Sequence, residues 1–148
     1  MNVVEVAEPA EKQRICAGVL SSLPEWFGIP SAVDEYIEAV ARLPTFAVGD
    51  AAFLSLKLHT PSAAEIYVMG VRPERHRQKL GSALVSAAEA FLRERHVEFL
   101  QVKTLGPSRP DENYERTRRF YEAWGFRPLE EIHGLWGSNP CLLMVKHL

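Results

Sequence analysis

The chain has 148 residues, of which 47% are hydrophobic and 24% are charged, and its formal net charge is −2 at pH 7. This length predicts a single domain, residues 1–148, with a sizeable core. The small net charge argues against a general nucleic-acid binder, whose surface would be basic. Cys16 and Cys141 lie far apart with no metal-ligand spacing, so neither a disulfide framework nor a metal site is expected. No signal peptide or membrane-spanning apolar run is present, which predicts a cytoplasmic protein without a membrane partner.

The N-terminal part of the chain predicts a short strand followed by two helices. Val3–Val6 is a candidate edge strand, and apolar residues then repeat at helical spacing until Pro24 ends the first helix. The second helix is predicted to begin at the capping-box-like segment Ser31–Asp34. Its solvent-exposed face is expected to carry Asp34, Glu35 and Glu38.

Two aromatic residues, Trp26 and Phe27, lie in the irregular link between these helices. They either fill the space between the two helices or form a wall of an acceptor pocket. A hairpin is predicted next, with strands Thr45–Val48 and Ala52–Leu58 joined by a tight Gly-Asp turn.

The central stretch predicts a strand, a basic loop and a helix. Glu65–Val71 alternates as a half-buried strand does, and the helical spacing that begins near Leu80 continues to about Glu94. A helix N-terminus offers unpaired N–H groups and the positive end of the helix dipole, which suits a phosphate. Gly81 allows close approach of backbone to a ligand. The loop adds the cations Arg72, Arg75, Arg77 and Lys79. These features predict a pyrophosphate site, although many basic loops of this kind bind nothing.

The C-terminal part predicts a strand, a helix and two closing strands. The strand Val97–Thr104 completes a crossover that should leave it parallel to the strand ending at Val71. After the polar loop Gly106–Glu112, a helix is predicted to end at Gly125. Its apolar face is marked by Tyr114, Thr117, Phe120, Tyr121 and Trp124, and a solvated face by Arg116, Arg118 and Arg119. The closing strands are Phe126–Leu129 and Cys141–Lys146, joined by a loop that contains His133, Trp136 and Pro140.

Two segments resemble the GNAT N-acetyltransferase superfamily. The strand end Val71-Arg-Pro-Glu74 and the following residues resemble its acetyl-CoA signature, with His76 in place of Gln or Arg and Lys79 in place of the first Gly. A second register, Gln78–Ala83, fits the letter pattern but lies two residues later relative to the strand, so the first is preferred. The run Thr117–Phe126 resembles the family's Ala-x-x-Phe-Tyr-x-x-x-Gly-Phe.

The resemblance implies an α/β fold of three layers. Its central sheet would be mixed and mostly antiparallel, with one parallel, splayed strand pair and helices on both faces. It also implies acetyl-CoA as cosubstrate without a metal, and transfer of the acetyl group to a primary amine of a small molecule or peptide by direct, base-assisted attack. The implied cofactor-binding residues are Met69, Val71, His76, Arg77, Gln78, Lys79, Leu80, Gly81, Ser82 and Tyr114. Tyr114 stands where the family often has Asn, so that contact departs from the pattern.

Glu65 is the candidate general base, because it shares a strand face with Met69 and Val71, and some family members carry their base Glu there. The alternative is a solvated residue at a strand start, and His59 is the second candidate base. Tyr121 is the candidate acid that protonates the departing thiolate, or else a core aromatic.

Two other functions compete with this one. A non-catalytic acyl-CoA-binding module is compatible with the replacements at His76 and Lys79, whereas Glu65 and Tyr121 argue for an enzyme. A dinucleotide-binding oxidoreductase lacks its Gly-x-Gly-x-x-Gly motif. The acidic residues Glu25, Asp34, Glu35 and Glu38 favour a cationic acceptor. Dimers are common among GNAT proteins, so a homodimer also remains open.

Overall fold

The computed structural model describes residues 2–148 and contains seven strands and four α-helices over that range. The strands are β1 (Val4–Val6), β2 (Thr45–Val48), β3 (Ala52–Thr60), β4 (Ala63–Val71), β5 (Phe99–Leu105), β6 (Arg127–Gly134) and β7 (Gly137–His147). The helices are α1 (Pro9–Ser21), α2 (Pro30–Val40), α3 (Leu80–Glu94) and α4 (Glu112–Ala123). The sheet has the order β1-β2-β3-β4-β5-β7-β6 and is antiparallel except for the parallel pair β4 and β5. The predicted fold class, a mixed and mostly antiparallel sheet with helices around it, is confirmed.

The chain forms two compact units. The N-terminal unit contains the chain up to Lys57 together with Ile66–Arg95, and the C-terminal unit contains Leu58–Glu65 together with His96–Leu148. Within residues 2–148, no helix is long and apolar enough to cross a membrane.

The core of the N-terminal unit forms where α1 packs against strands. The buried face of α1 carries Ile15, Cys16, Val19 and Leu20, which pack with Phe53 and Val68 among others. Fully burying each aliphatic side chain of this kind contributes roughly 1.5–3 kcal/mol. A Cβ at Gly70 would lie 3.0 Å from Val19 and Leu23, so the glycine allows α1 to lie directly on β4.

The start of α2 differs from the prediction. The helix begins at Pro30, and its N-cap Ile29 makes no side-chain capping bond, so the capping box at Ser31–Asp34 is wrong. Proline at the first helical position has a preset φ and lacks an N–H that would be unpaired there, which explains the earlier start. Asp34, Glu35 and Glu38 are exposed, as predicted.

In the C-terminal unit, β7 pairs antiparallel with both β5 and β6. Both closing strands are longer than predicted, because β6 runs to Gly134 and β7 begins at Gly137. His133 and Pro140 therefore lie in strands, and the predicted loop that would contain them is wrong. Most of β6 is exposed, so its sequence lacks the apolar alternation by which a half-buried strand is recognised.

Candidate active site

The basic loop, Arg72–Lys79, has a backbone that turns sharply before α3. Arg77 and Lys79 adopt left-handed conformations with φ of 65° and 61°. The first backbone hydrogen bond into the helix runs from Ala83 N to Lys79 O at 3.1 Å, and Lys79 gives no side-chain cap. The N–H groups of Leu80 and Gly81 precede that bond. This end of α3 therefore has the donors and dipole that suit an anion.

The four cations of the basic loop are not equivalent. Arg72 donates from Nε to the Asp50 carbonyl at 2.7 Å, and Arg75 donates from Nε to Gln78 Oε1 at 2.7 Å. The side chains of Arg72 and Arg75 therefore stabilise the conformation of the loop. Arg77 and Lys79 are exposed, and they are the cations best placed to meet an anionic ligand from solvent.

His76 connects the basic loop to the end of β4 through a hydrogen bond. Its Nε2 donates to the Val71 carbonyl at 2.7 Å, and its ring meets Trp26 edge-on with 6.1 Å between centroids. Trp26 and Phe27 pack against the core of the N-terminal unit, as the packing interpretation predicted. The contact between Trp26 and His76 was not predicted, because it joins residues far apart in the sequence.

Strand β4 alternates as predicted. Ile66, Val68 and Gly70 are buried, while Met69 and Val71 on the other parity are half-buried. Met69 and Val71, which the resemblance implies to be cofactor-binding residues, therefore lie on the more accessible face of this strand.

The C-terminal unit contains a group that we call the Glu65 cluster: His59, Glu65, Gln101 and Lys103. Oε1 of Glu65 lies 2.7 Å from His59 Nε2, 3.3 Å from Lys103 Nζ and 3.4 Å from Gln101 Nε2. The Glu65 side chain is only 7% exposed, so the alternative of a solvated residue at a strand start is wrong. The two residues that the sequence offered as rival bases are in direct contact.

The end of α4 holds Tyr121 through a helix-stop motif. Phe126 N donates to Tyr121 O, and Gly125 N donates to Glu122 O, each at 3.0 Å, in the pattern of a Schellman cap. Gly125 has φ of 95°, which confirms it as the predicted stop. The rings of Tyr121 and Phe126 meet edge-on at 5.4 Å, so Tyr121 is a buried member of an aromatic pair.

The start of α4 is capped by Asp111. Its Oδ1 accepts from Asn113 N at 2.9 Å and from Tyr114 N at 3.1 Å, which fixes the first turn that carries Tyr114. One prediction for this helix is wrong: Arg118 does not lie on a solvated face, because it donates to the Leu105 carbonyl at 2.6 Å.

Comparison with known proteins decides the family. The acetyltransferase (GNAT) domain family matches residues 40–128, which is more than half of the chain. The chain belongs to the GNAT acetyltransferase domain family.

Its relatives agree with that assignment. A mycothiol acetyltransferase from Beutenbergia cavernae is 38% identical over 92 residues, which are 60% of this chain but 29% of that protein. The chain thus matches under a third of the length of that relative. The fold of a protein from Desulfovibrio desulfuricans, described as belonging to the GNAT family, matches with a TM-score of 0.81 at 19% identity, covering 99% of this chain and 98% of the other. An aminoglycoside 6′-N-acetyltransferase complexed with coenzyme A gives 0.76 at 18% identity, covering 99% and 97%.

The sequence did not reveal two members of the Glu65 cluster, Gln101 and Lys103. A signal was present: within β5 they alternate with the buried Leu100 and Val102, so they share one face of the strand. What the sequence lacked was the pairing that brings this face to Glu65. Residues 2–148 contain no group of three or more His, Cys, Asp or Glu side chains placed to hold a metal ion.

Proposed function

We propose that this acetyltransferase moves an acetyl group from acetyl-CoA to a primary amine of a small molecule or peptide. The observation that carries the proposal is the partly buried contact of 2.7 Å between Glu65 and His59 in a chain that contains the GNAT domain. Such a pair can accept a proton, and an ammonium must lose one before its nitrogen can attack. The coenzyme A bound in the aminoglycoside 6′-N-acetyltransferase supports the choice of cosubstrate.

The residues at the start of α3 fit the pyrophosphate of this cosubstrate. The backbone N–H groups of Leu80 and Gly81 would donate hydrogen bonds to its phosphate oxygens, and the positive charges of Arg77 and Lys79 would add to the attraction. His76, Gln78 and Ser82 complete the proposed phosphate-binding segment. Backbone groups of Met69 and Val71 would pair with the pantetheine amides, and Tyr114 would contact the cosubstrate from α4.

The chemistry requires one proton acceptor and one proton donor. The ammonium gives a proton to the pair formed by Glu65 and His59. The neutral nitrogen then attacks the acetyl carbonyl carbon, so that a C–N bond forms and the C–S bond breaks. Tyr121 is proposed to protonate the departing thiolate, and the second proton that the nitrogen loses balances this transfer.

The test measures free thiol release and the mass of the acetylated product with acetyl-CoA and a panel of amines. We expect turnover with at least one amine, and a loss of roughly tenfold or more in kcat for Glu65→Gln and for Tyr121→Phe. Acetyl-CoA affinity, measured by calorimetry, should stay close to that of the parent in both variants. Tight acetyl-CoA binding without turnover of any amine would refute the proposed function. Full activity in both variants would refute only the residue assignment.

A further inference from the structure

The three contacts to Glu65 all fall on one carboxylate oxygen. His59, Gln101 and Lys103 each approach Oε1, at 2.7, 3.4 and 3.3 Å. A carboxylate surrounded in this way is already engaged by a cation and an amide. Its side chain is also only 7% exposed, whereas that of His59 is 32% exposed. His59 is therefore the member of the pair that an amine can reach more easily.

The ring orientation of His59 supports the same conclusion. Nε2 faces the carboxylate, which fixes the proton of a neutral ring on Nε2 and leaves Nδ1 as the unprotonated nitrogen. Because a carboxylate that receives an N–H bond from an imidazole orients the ring and stabilises its charged form, Glu65 is suited to hold His59 ready to accept a proton.

Resting on the proposed function, we propose that His59 takes the proton from the acceptor ammonium through Nδ1, and that Glu65 is a positioning residue for the His59 ring. In this step an N–H bond of the ammonium breaks and an Nδ1–H bond forms, which yields a neutral amine and an imidazolium. After acetyl transfer the imidazolium returns its proton to water.

The charged and titratable groups around the pair are few. Lys103 faces Glu65 from β5, and Gln101 beside it is uncharged. Cys141 on β7 lies within electrostatic range of Glu65 and Lys103, and burial raises the pKa of its thiol, so it stays neutral. One carboxylate, one ammonium and one imidazole thus determine the charge of the cluster.

The experiment compares His59→Gln, His59→Ala and Glu65→Gln with the parent, using an amine that the parent acetylates. His133→Gln is the matched control, because His133 pairs with Glu131 at 3.4 Å on the exposed β6 strand. The measurements are kcat/KM across the pH range, the KM for acetyl-CoA, and the tautomer of His59 by nitrogen NMR of the unsubstituted protein. Imidazole is added to the buffer for His59→Ala.

We expect His59→Gln to lose roughly tenfold or more of kcat/KM near neutral pH, with little change in the KM for acetyl-CoA. The decrease of kcat/KM at low pH, which is the acidic limb of the pH profile, should disappear in this variant. Added imidazole should restore part of the activity of His59→Ala. Glu65→Gln should lose less activity than His59→Gln and should keep the limb, because the imidazole that accepts the proton is still present. His133→Gln should behave as the parent.

The opposite pattern would overturn the inference. If Glu65→Gln loses the acidic limb while His59→Gln keeps it, Glu65 is itself the base and the proposed function stands. A neutral His59 that carries its proton on Nδ1, or a His59→Ala variant that imidazole does not rescue, would also overturn it. A parent without turnover on any amine refutes the proposed function and this inference together.

Discussion

Lys79 offers a way to separate backbone strain from electrostatic attraction in the basic loop. It is exposed and adopts φ of 61°, ψ of 24°, at the position where the GNAT signature usually has glycine. This left-handed conformation costs a residue with a Cβ roughly 1–2 kcal/mol. Glycine avoids that cost but loses more chain entropy on folding, roughly 0.5–1 kcal/mol. We therefore expect Lys79→Gly to stabilise the fold by about 0.5–1 kcal/mol.

Although Lys79→Gly should stabilise the fold, the loss of the Lys79 charge should weaken the binding of acetyl-CoA. An exposed ammonium near a phosphate contributes about 0.2–1 kcal/mol, so removing it should weaken acetyl-CoA binding by up to about fivefold. The matched control is Lys79→Gln, which removes the charge and keeps the Cβ. Both variants should lose affinity equally, but only the glycine variant should gain Tm, by roughly 1–4 °C for a chain of this size.

The assay is thermal unfolding without ligand, followed by calorimetric titration of acetyl-CoA at several salt concentrations. Both variants should show a flatter dependence of affinity on salt than the parent. Equal Tm values for the two variants would refute the argument about strain. An unchanged salt dependence would show that the Lys79 ammonium does not meet the phosphates.

Three further predictions follow from local structure. Gly81→Val should block the close approach of the α3 backbone to the pyrophosphate. It should weaken acetyl-CoA binding, measured by calorimetry, by about 1.5–3 kcal/mol, with Tm retained. Unchanged affinity would show that the phosphate site lies elsewhere. Asp111→Ala should lower the unfolding free energy by about 0.5–2 kcal/mol, and Asp111→Asn, which can still cap α4, should lose much less. Burial raises the pKa of Cys16 to about 12 and also raises that of Cys141, so both thiols stay protonated at neutral pH. A thiol reagent should therefore label them only after denaturation, and rapid labelling of the folded protein would contradict this.

The elements of the fold that face the core could be read from the sequence. The helical spacing before Glu94 predicted α3, and Gly125 predicted the end of α4, because burial imposes a period and a left-handed stop favours glycine. The site was partly predictable for the same reason: alternation along β4 placed Glu65 on the face of Met69 and Val71. These are properties of a segment by itself.

The features that the sequence did not reveal depend on contacts between segments that are far apart in the chain, or on strands with little apolar alternation. Gln101 and Lys103 reach Glu65 from 36 and 38 residues away, and a single sequence does not specify which strands pair. The exposed strand β6 has little apolar alternation to reveal it. At α2 the predicted start was the segment Ser31–Asp34, whereas the helix begins at Pro30, because the fixed φ of proline suits the first helical position.

Energetics give Glu65 a stronger claim to function than Tyr121. The position of Tyr121 is set by the helix stop at Gly125 and by its contact with the ring of Phe126, both of which belong to the packing of the fold. Glu65 has no such explanation. Taking a carboxylate out of water costs several kcal/mol, which its attraction to a cation only partly offsets, and the Glu65 side chain is only 7% exposed. A buried carboxylate held by His59 and Lys103 is therefore a poor way to stabilise a strand and a suitable way to hold an imidazole for proton transfer. The Glu65 cluster is accordingly where mutagenesis should begin.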